Sequence, residues 1–274
     1  MKSLSKLVMI LLGGMTLAGC SPYRELAQQY VDQSSKRAVV YLIPTGYVDK
    51  VNLKRYPTLD LSAYTQYQRD SIRFEKSIFL KNLSDSIFLT RFVNSYMEEL
   101  RALGVRVCLD GPDSLTCLPA EDSWIVIMDH LELREFNIPI TDEQYIYPAL
   151  YQKDIDLGAV SLHALFSINR LNEDKKEQQL YAENYVSDEI TESGFGFEKD
   201  KDKVVHYRKV QPLTLEMIYN MAEALGRKYA SYTYDYLLNE YIFKSSKSVP
   251  STYYHYNRFK NKLEEAGDDR FIAK

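Results

Sequence analysis

The stretch LGAVSLHALFSINRL, residues 157–171, decides the fold. Val160, Leu162, Ala164, Phe166 and Ile168 fall on one side of an extended chain, and Ser161, His163, Ser167 and Asn169 fall on the other. Strict alternation of this kind marks a strand with one face on a core and one face toward water, which is the pattern of an antiparallel sheet. Asn172 to Glu177 follows as a charged turn, and Leu180 to Ser187 returns as the antiparallel neighbour. Upstream, Trp124 to Phe136 reads as a long strand. Trp124-Ile125-Val126-Ile127-Met128 is apolar on both faces and therefore central, while beyond it Leu131 and Leu133 oppose His130, Glu132 and Arg134.

Around this nucleus the remaining elements can be placed by periodicity. Val39 to Ile43 is a buried first strand halted by Pro44. Asp49 to Lys81 is irregular and yields no clear element. Ser84 or Asp85 caps a helix in which Phe88, Phe92, Tyr96, Leu100 and Leu103 repeat every three or four residues; Gly104 closes it as a left-handed cap, and Val105 to Leu109 follows as a short strand. Asn137 to Ile155, with Pro139 and Pro148, is expected to be a long connecting excursion. Gly194 to Phe197 and the charge run Glu198 to Lys203 are expected to form a mobile loop before an edge strand, Val204 to Val210. Pro212 and Thr214 introduce a helix running to about Phe243, some 45 Å long at about 1.5 Å per residue. Pro250 is expected to restart the chain into a shorter helix through Tyr253, Tyr256, Phe259 and Leu263 that ends at Gly267. The order of elements predicts an α+β fold, a mostly antiparallel sheet with helices packed on one face, plus Tyr-rich C-terminal helices.

The first twenty residues speak to location. Lys2 and Lys6 are followed by an apolar core, Leu7 to Leu12, and by Leu17-Ala18-Gly19-Cys20. A basic start, a short apolar run and small residues before a cleavage point are the layout of a secretory signal, too short and glycine-broken for a spanning helix. A buried helix or an ordinary cleaved signal would use similar letters. The segment resembles the leader and lipobox of bacterial lipoproteins. That resemblance implies that residues 1–19 are removed, that Cys20 is acylated and anchors the chain in a bilayer, and that Ser21 directs it to the outer membrane. With no acidic run after Cys20, the periplasmic leaflet is expected rather than the cell surface. Residues 20–36 are then a polar tether reaching up to ~55 Å if fully extended, residues 37–243 the α+β domain, and residues 244–274 a C-terminal helical extension. In element order, Arg37 to Phe243 is also similar to the TolB amino-terminal-like and transport-auxiliary groups of envelope lipoproteins.

Composition narrows the partners. Removal of the leader takes Lys2 and Lys6 from the 34 basic side chains and none of the 38 acidic ones, moving the formal charge from −4 to −6. Such a balance argues against nucleic acid or an anionic lipid surface as the main partner. Cys108 and Cys117 flank the turn-rich Asp110-Gly111-Pro112-Asp113-Ser114 and are expected to pair once exported, for a gain of roughly 2.5 to 3 kcal/mol on the chain-entropy model. Two buried thiols or a metal pair are the alternatives. Tyrosine is the outlier at 23, against 11 Phe and one Trp, and nine tyrosines lie between Tyr219 and Tyr256. Tyrosine buries a ring while keeping a hydroxyl hydrated, which suits interfaces and, alternatively, the stacking of sugars. Tyr145, Tyr147 and Tyr151 in the excursion and Tyr229, Tyr232 and Tyr236 on the last helix are the interface candidates.

Chemistry is sparse. The four histidines are His130, His163, His206 and His255. Asp129-His130-x-Glu132 offers a ligand pair or an acid-base pair, and a cross-strand ion-pair face completed by Arg134 explains the same residues. Asp129 interrupts an apolar row and suggests a bulge. No Gly-x-Ser-x-Gly elbow, His-Glu-x-x-His or phosphate-cradling glycine loop occurs after the leader. No catalytic residue, cofactor or metal ligand is assigned. The reading is a noncatalytic anchored lipoprotein serving as an assembly or accessory subunit of an envelope complex, with an envelope protein as partner. A glycan- or amphiphile-binding lipoprotein is the alternative, and a hydrolase working through His130, Glu132 or Asp129 the third.

Overall fold

The apolar run Trp124 to Met128 lies inside the sheet, as two hydrophobic faces require, and every other element is arranged about its strand. The computed structural model describes residues 22–33, 38–58, 60–109, 122–171, 178–201, 203–246 and 252–266. The elements are α1 (Pro22–Gln33), β1 (Ala38–Ile43), β2 (Asp49–Asn52), α2 (Gln66–Glu75), a 3-10 turn at Leu80–Asn82, α3 (Asp85–Ala102), β3 (Arg106–Leu109), β4 (Asp122–Ile146), β5 (Ala149–Arg170), β6 (Gln178–Ser187), β7 (Glu189–Asp200), β8 (Lys203–Gln211), α4 (Leu215–Ser246), β9 (Tyr253–Asn257) and β10 (Lys262–Ala266).

The main sheet has the order β3-β1-β4-β5-β6, with β2 continuing along the β1 side of β4. β1 is parallel to β3 and β4, whereas β4, β5 and β6 are antiparallel, so the fold is α+β with a mixed main sheet. The register sets Val126 against Ile168, Met128 against Phe166 and Leu133 against Leu162. All of these side chains are buried, on one face, beneath α3 and α4. Phe166 is the hub: its ring lies 4.3 Å from that of Tyr229 and 5.9 Å from those of Phe92 and Tyr96. The helices cross closely at Gly226, where an added Cβ would stand 2.2 Å from Ser95 Oγ and 2.4 Å from the Phe92 carbonyl oxygen. Local signals behave as read: Ser84 accepts from the Ile87 N–H, and Gly104, at φ 85°, turns the chain out of α3 into β3.

Four expectations are corrected. The tether is in large part a helix: α1 packs on α4, burying Ala27 and Tyr30, with Tyr23, Leu26 and Val31 half-buried beside them. The glutamines and charges between them hid a three-to-four residue apolar stripe that only α4 completes. The excursion Asn137 to Ile155 is no connector, because β4 and β5 stay paired from Trp124↔Arg170 to Ile146↔Ala149 and turn at Tyr147-Pro148. Pro139 is tolerated because β2 reaches only Glu135, so the edge of distal β4 opposite β5 has no main-sheet neighbour.

The expected mobile loop at 194–203 is the β7–β8 hairpin. Its glycines serve close approach, since a Cβ at Gly196 would stand 2.8 Å from the Tyr207 hydroxyl. Finally, where a C-terminal helix is expected through Tyr253, Tyr256, Phe259 and Leu263, the described residues 252–266 hold β9 and β10 as an antiparallel hairpin with Asn261 at φ 47° in the turn. Tyr254 and Leu263 are its buried anchors. The helix-like spacing of Tyr253, Tyr256, Phe259 and Leu263 lost to β-prone alternation in the run Tyr253-Tyr254-His255-Tyr256.

Candidate functional site

The face of the main sheet turned away from α3 and α4 carries a chain of polar side chains, placed there by strand alternation. The register shifts between Met128 and His130, so Asp129 does sit at a bulge, exposed, where it accepts a hydrogen bond from the Ser167 hydroxyl. His130 Nδ1 is 3.2 Å from Asp49 of β2, and its Nε2 is 3.6 Å from Glu132. Arg134 holds Glu132 at 2.7 Å. The cross-strand ion-pair face read from Asp129-His130-x-Glu132 and Arg134 is therefore present. The Arg134 guanidinium is the main cause that holds the Glu132 carboxyl below its ordinary range.

On β5 and β6 the same face continues in an ordered relay. Ser161 Oγ is 3.0 Å from His163 Nε2, and His163 Nδ1 is 2.6 Å from the Tyr181 hydroxyl and 3.1 Å from Glu183. Tyr181 donates to Glu183 at 2.9 Å. With the phenol proton committed there, Nδ1–H donates to the phenol oxygen and Nε2 accepts from Ser161, an assignment made from the network. Burial, and then Arg134, pull the His163 pKa below its ordinary value, favouring this neutral ring. Burial and then Glu183 raise that of Tyr181.

The order hydroxyl, imidazole, carboxylate has the logic of an activated nucleophile. Acyl transfer also needs donors aimed at a developing oxyanion. Ser161 pairs with Arg134 on one side and Tyr185 on the other, so its own backbone is committed to the ladder, and Arg134 is engaged by Glu132. What this face offers is a row of polar and charged groups half open to water. The sequence places His163 on the polar face of its strand but does not bring it to Glu183, because their contact depends on the β5–β6 register.

The interface candidates separate into two groups. Tyr145 and Tyr147 are 64% and 86% exposed at the distal end of the β4–β5 hairpin, next to Leu150 at 62%. Tyr151 turns inward against Phe197 of β7, at 5.8 Å, in a contact reinforced by His206 to Asp142 at 3.0 Å and by the Phe197 N–H donating to Gln144. Tyr229 is corrected: it is fully buried under the sheet, its hydroxyl donating to the Ala164 carbonyl and accepting from the Ala182 N–H. Tyr232 and Tyr236 are half-buried, with Tyr236 edge-on to Trp124 at 5.6 Å. Cys108 is buried at the end of β3 beside Val39 and Tyr41. Its expected partner Cys117, and the expected anchor Cys20 with residues 1–19, lie outside the described residues.

A second polar constellation joins α4 to the last hairpin. Asp235, fully buried, accepts from His255 Nδ1 at 2.6 Å and from the Tyr256 N–H at 3.0 Å, while Asn239 one turn on both donates to and accepts from the Tyr254 backbone. The two helix side chains thus serve the edge of β9 as a neighbouring strand would. Among the described residues there is no group of three or more His, Cys, Asp or Glu that could hold a metal ion, and no helix long and apolar enough to cross a membrane. Comparison with protein-family models gives no match, and comparison with curated proteins gives none either.

Proposed function

We propose that this chain is a noncatalytic lipoprotein, fixed to the periplasmic leaflet of an outer membrane through acylated Cys20, with Cys108 and Cys117 paired, that serves as an assembly or accessory subunit of an envelope complex. The observation that carries the reading is the end of the β4–β5 hairpin. Two paired strands run beyond the end of β2, braced by β7 and β8, and present Tyr145, Tyr147 and Leu150 to solvent at their turn. Large aromatic side chains held on a rigid, hydrogen-bonded element lose little conformational freedom on docking, which is why such residues dominate interface energetics. The leader supplies the address, and the polar open face of the sheet supplies a solvated flank.

A photo-crosslinking residue in place of Tyr147 tests the proposal in cells that carry the full chain. One discrete adduct is expected, together with loss of the stoichiometric co-purifying protein in the double substitution Tyr145→Ser, Tyr147→Ser. No adduct, or co-purification unchanged by the double substitution, would remove the hairpin end as a docking element.

A further inference from the structure

The packing of α1 leaves an anchor at Cys20 almost no slack. Tyr23, only the second residue of the helix, is already packed against the core, and Leu26, Ala27, Tyr30 and Val31 continue the contact. The Tyr30 ring lies 5.6 Å from that of Tyr234 and 5.3 Å from that of Tyr241, both on α4. Cys20 precedes Pro22 by two residues. At about 3.8 Å per residue, its Cα is held within about 8 Å of the start of a helix that belongs to the folded body. A tether of up to ~55 Å is thereby replaced by a short link to a fixed point.

The same helix fixes which end of the molecule that point serves. Tyr30 lines one cleft with Asp122, Trp124 and Arg170, where β4 begins and β5 ends. From Pro22 to Tyr30 the helix rises about 12 Å, so Cys20 falls within roughly 20 Å of Tyr30. Tyr147 turns the far end of the pair, about 75 Å from Trp124 along the strand at about 3.3 Å per residue. Anchor and exposed tip therefore belong to opposite ends of the chain's longest element. Short of the tip, the arm has no apolar flank to lay on lipid: Thr141, Glu143, Gln152, Lys153, Asp154 and Asp156 are among its exposed side chains. We infer that α1 is a rigid foot, which sets the anchored chain on the bilayer at its Trp124 end and holds Tyr145, Tyr147 and Leu150 away from lipid. The partner of the tip is then a protein surface standing in the aqueous compartment, not the bilayer. This inference rests on the reading of Cys20 as an acylated anchor.

Energy transfer to the membrane surface tests it. The full chain, purified from the cell envelope, is placed in phosphatidylcholine vesicles that carry a headgroup-linked acceptor, with a coumarin donor on Gln29→Cys or on Tyr147→Cys. Both positions are exposed, the first on α1 and the second at the tip, so neither label enters the core. Transfer several-fold stronger from position 29 than from position 147 is expected. Inserting about twelve Gly/Ser residues between Ser21 and Pro22 adds a reach of about 20 Å and should lower transfer from position 29 at least about twofold. Equal transfer from the two positions, stronger transfer from position 147, or a value at position 29 that the insertion leaves unchanged would overturn the inference. Cys20→Ser separates this failure from that of the anchor. If the parent chain stays on the vesicles and Cys20→Ser does not, the anchor stands whatever the transfer shows; retention of both chains, or of neither, removes the anchor and the foot with it.

Discussion

Glu135 is fully buried on β4, where its carboxylate accepts from the Ser77 hydroxyl at 2.6 Å and from the backbone N–H groups of Ile78, Phe79 and Leu80, with Lys54 Nζ at 2.8 Å. It caps the turn leading into Leu80–Asn82 and so ties the irregular segment 49–81 to the sheet. Burial alone would raise its pKa, but Lys54, Ser77 and the N–H groups together bring it below the ordinary value. Because the folded pKa lies below the unfolded one, this stabilisation is complete above the unfolded carboxylate value, about pH 4.3, and is lost as pH falls through the folded value. His163, whose folded pKa is also lowered, acts in the same direction: its neutral form favours the native state above the unfolded value of about 6.5, and acid takes that advantage away. Glu135→Gln, which leaves Lys54 buried without its counter-charge, should cost about 3 kcal/mol in urea unfolding at neutral pH, at the lower end for a broken buried pair. The gap to the parent should narrow at pH below about 4; an equal gap at both pH values would contradict the linkage. By alternation Glu135 falls on the same face as Leu131 and Leu133, but its partners Lys54 and residues 77–80 come from a distant irregular segment that no spacing on β4 reveals, whereas Asp129, breaking an apolar row, was legible as a bulge.

At the level of elements, helices and strands with their own caps and alternation were legible, and those that borrow a partner were not. α3 carries its N-cap, its apolar stripe and its terminal glycine in consecutive residues, and it folds as those residues dictate. The β9–β10 hairpin is the opposite case. Two strands alone are marginal in water, and this pair persists because Asp235 and Asn239 receive its edge and because Tyr254 and Leu263 enter the core. Asn239→Ala leaves both the N–H and the carbonyl of Tyr254 without their side-chain partners. Amide exchange across 252–266 should quicken roughly tenfold, in line with about 1–3 kcal/mol for unsatisfied buried groups, while exchange in α3 and in the centre of β5 stays unchanged. Uniform acceleration throughout the chain would mean that the hairpin is not a separately opening unit.

For the whole molecule, the proposed anchor and cross-link can be read in one measurement. Chain purified from the cell envelope and alkylated under denaturing conditions should show neither Cys108 nor Cys117 modified before reduction, and an acylated amino terminus at Cys20; an unmodified terminus, or a Cys108 alkylated without reductant, would separate the chain from the lipoprotein reading. By itself the sequence determined the α+β class, the central and half-exposed strands, the two long helices and the polar open face, because each is written in the spacing of neighbouring residues. Only the tertiary structure decided that the polar amino-terminal segment is a helix, that the proline-bearing excursion is a projecting hairpin, and that Tyr229 is core. Those outcomes depend on which surface is left for a segment to cover and on which edge still lacks a hydrogen-bonding neighbour. Such quantities belong to the assembled sheet and helices, and no window of sequence contains them.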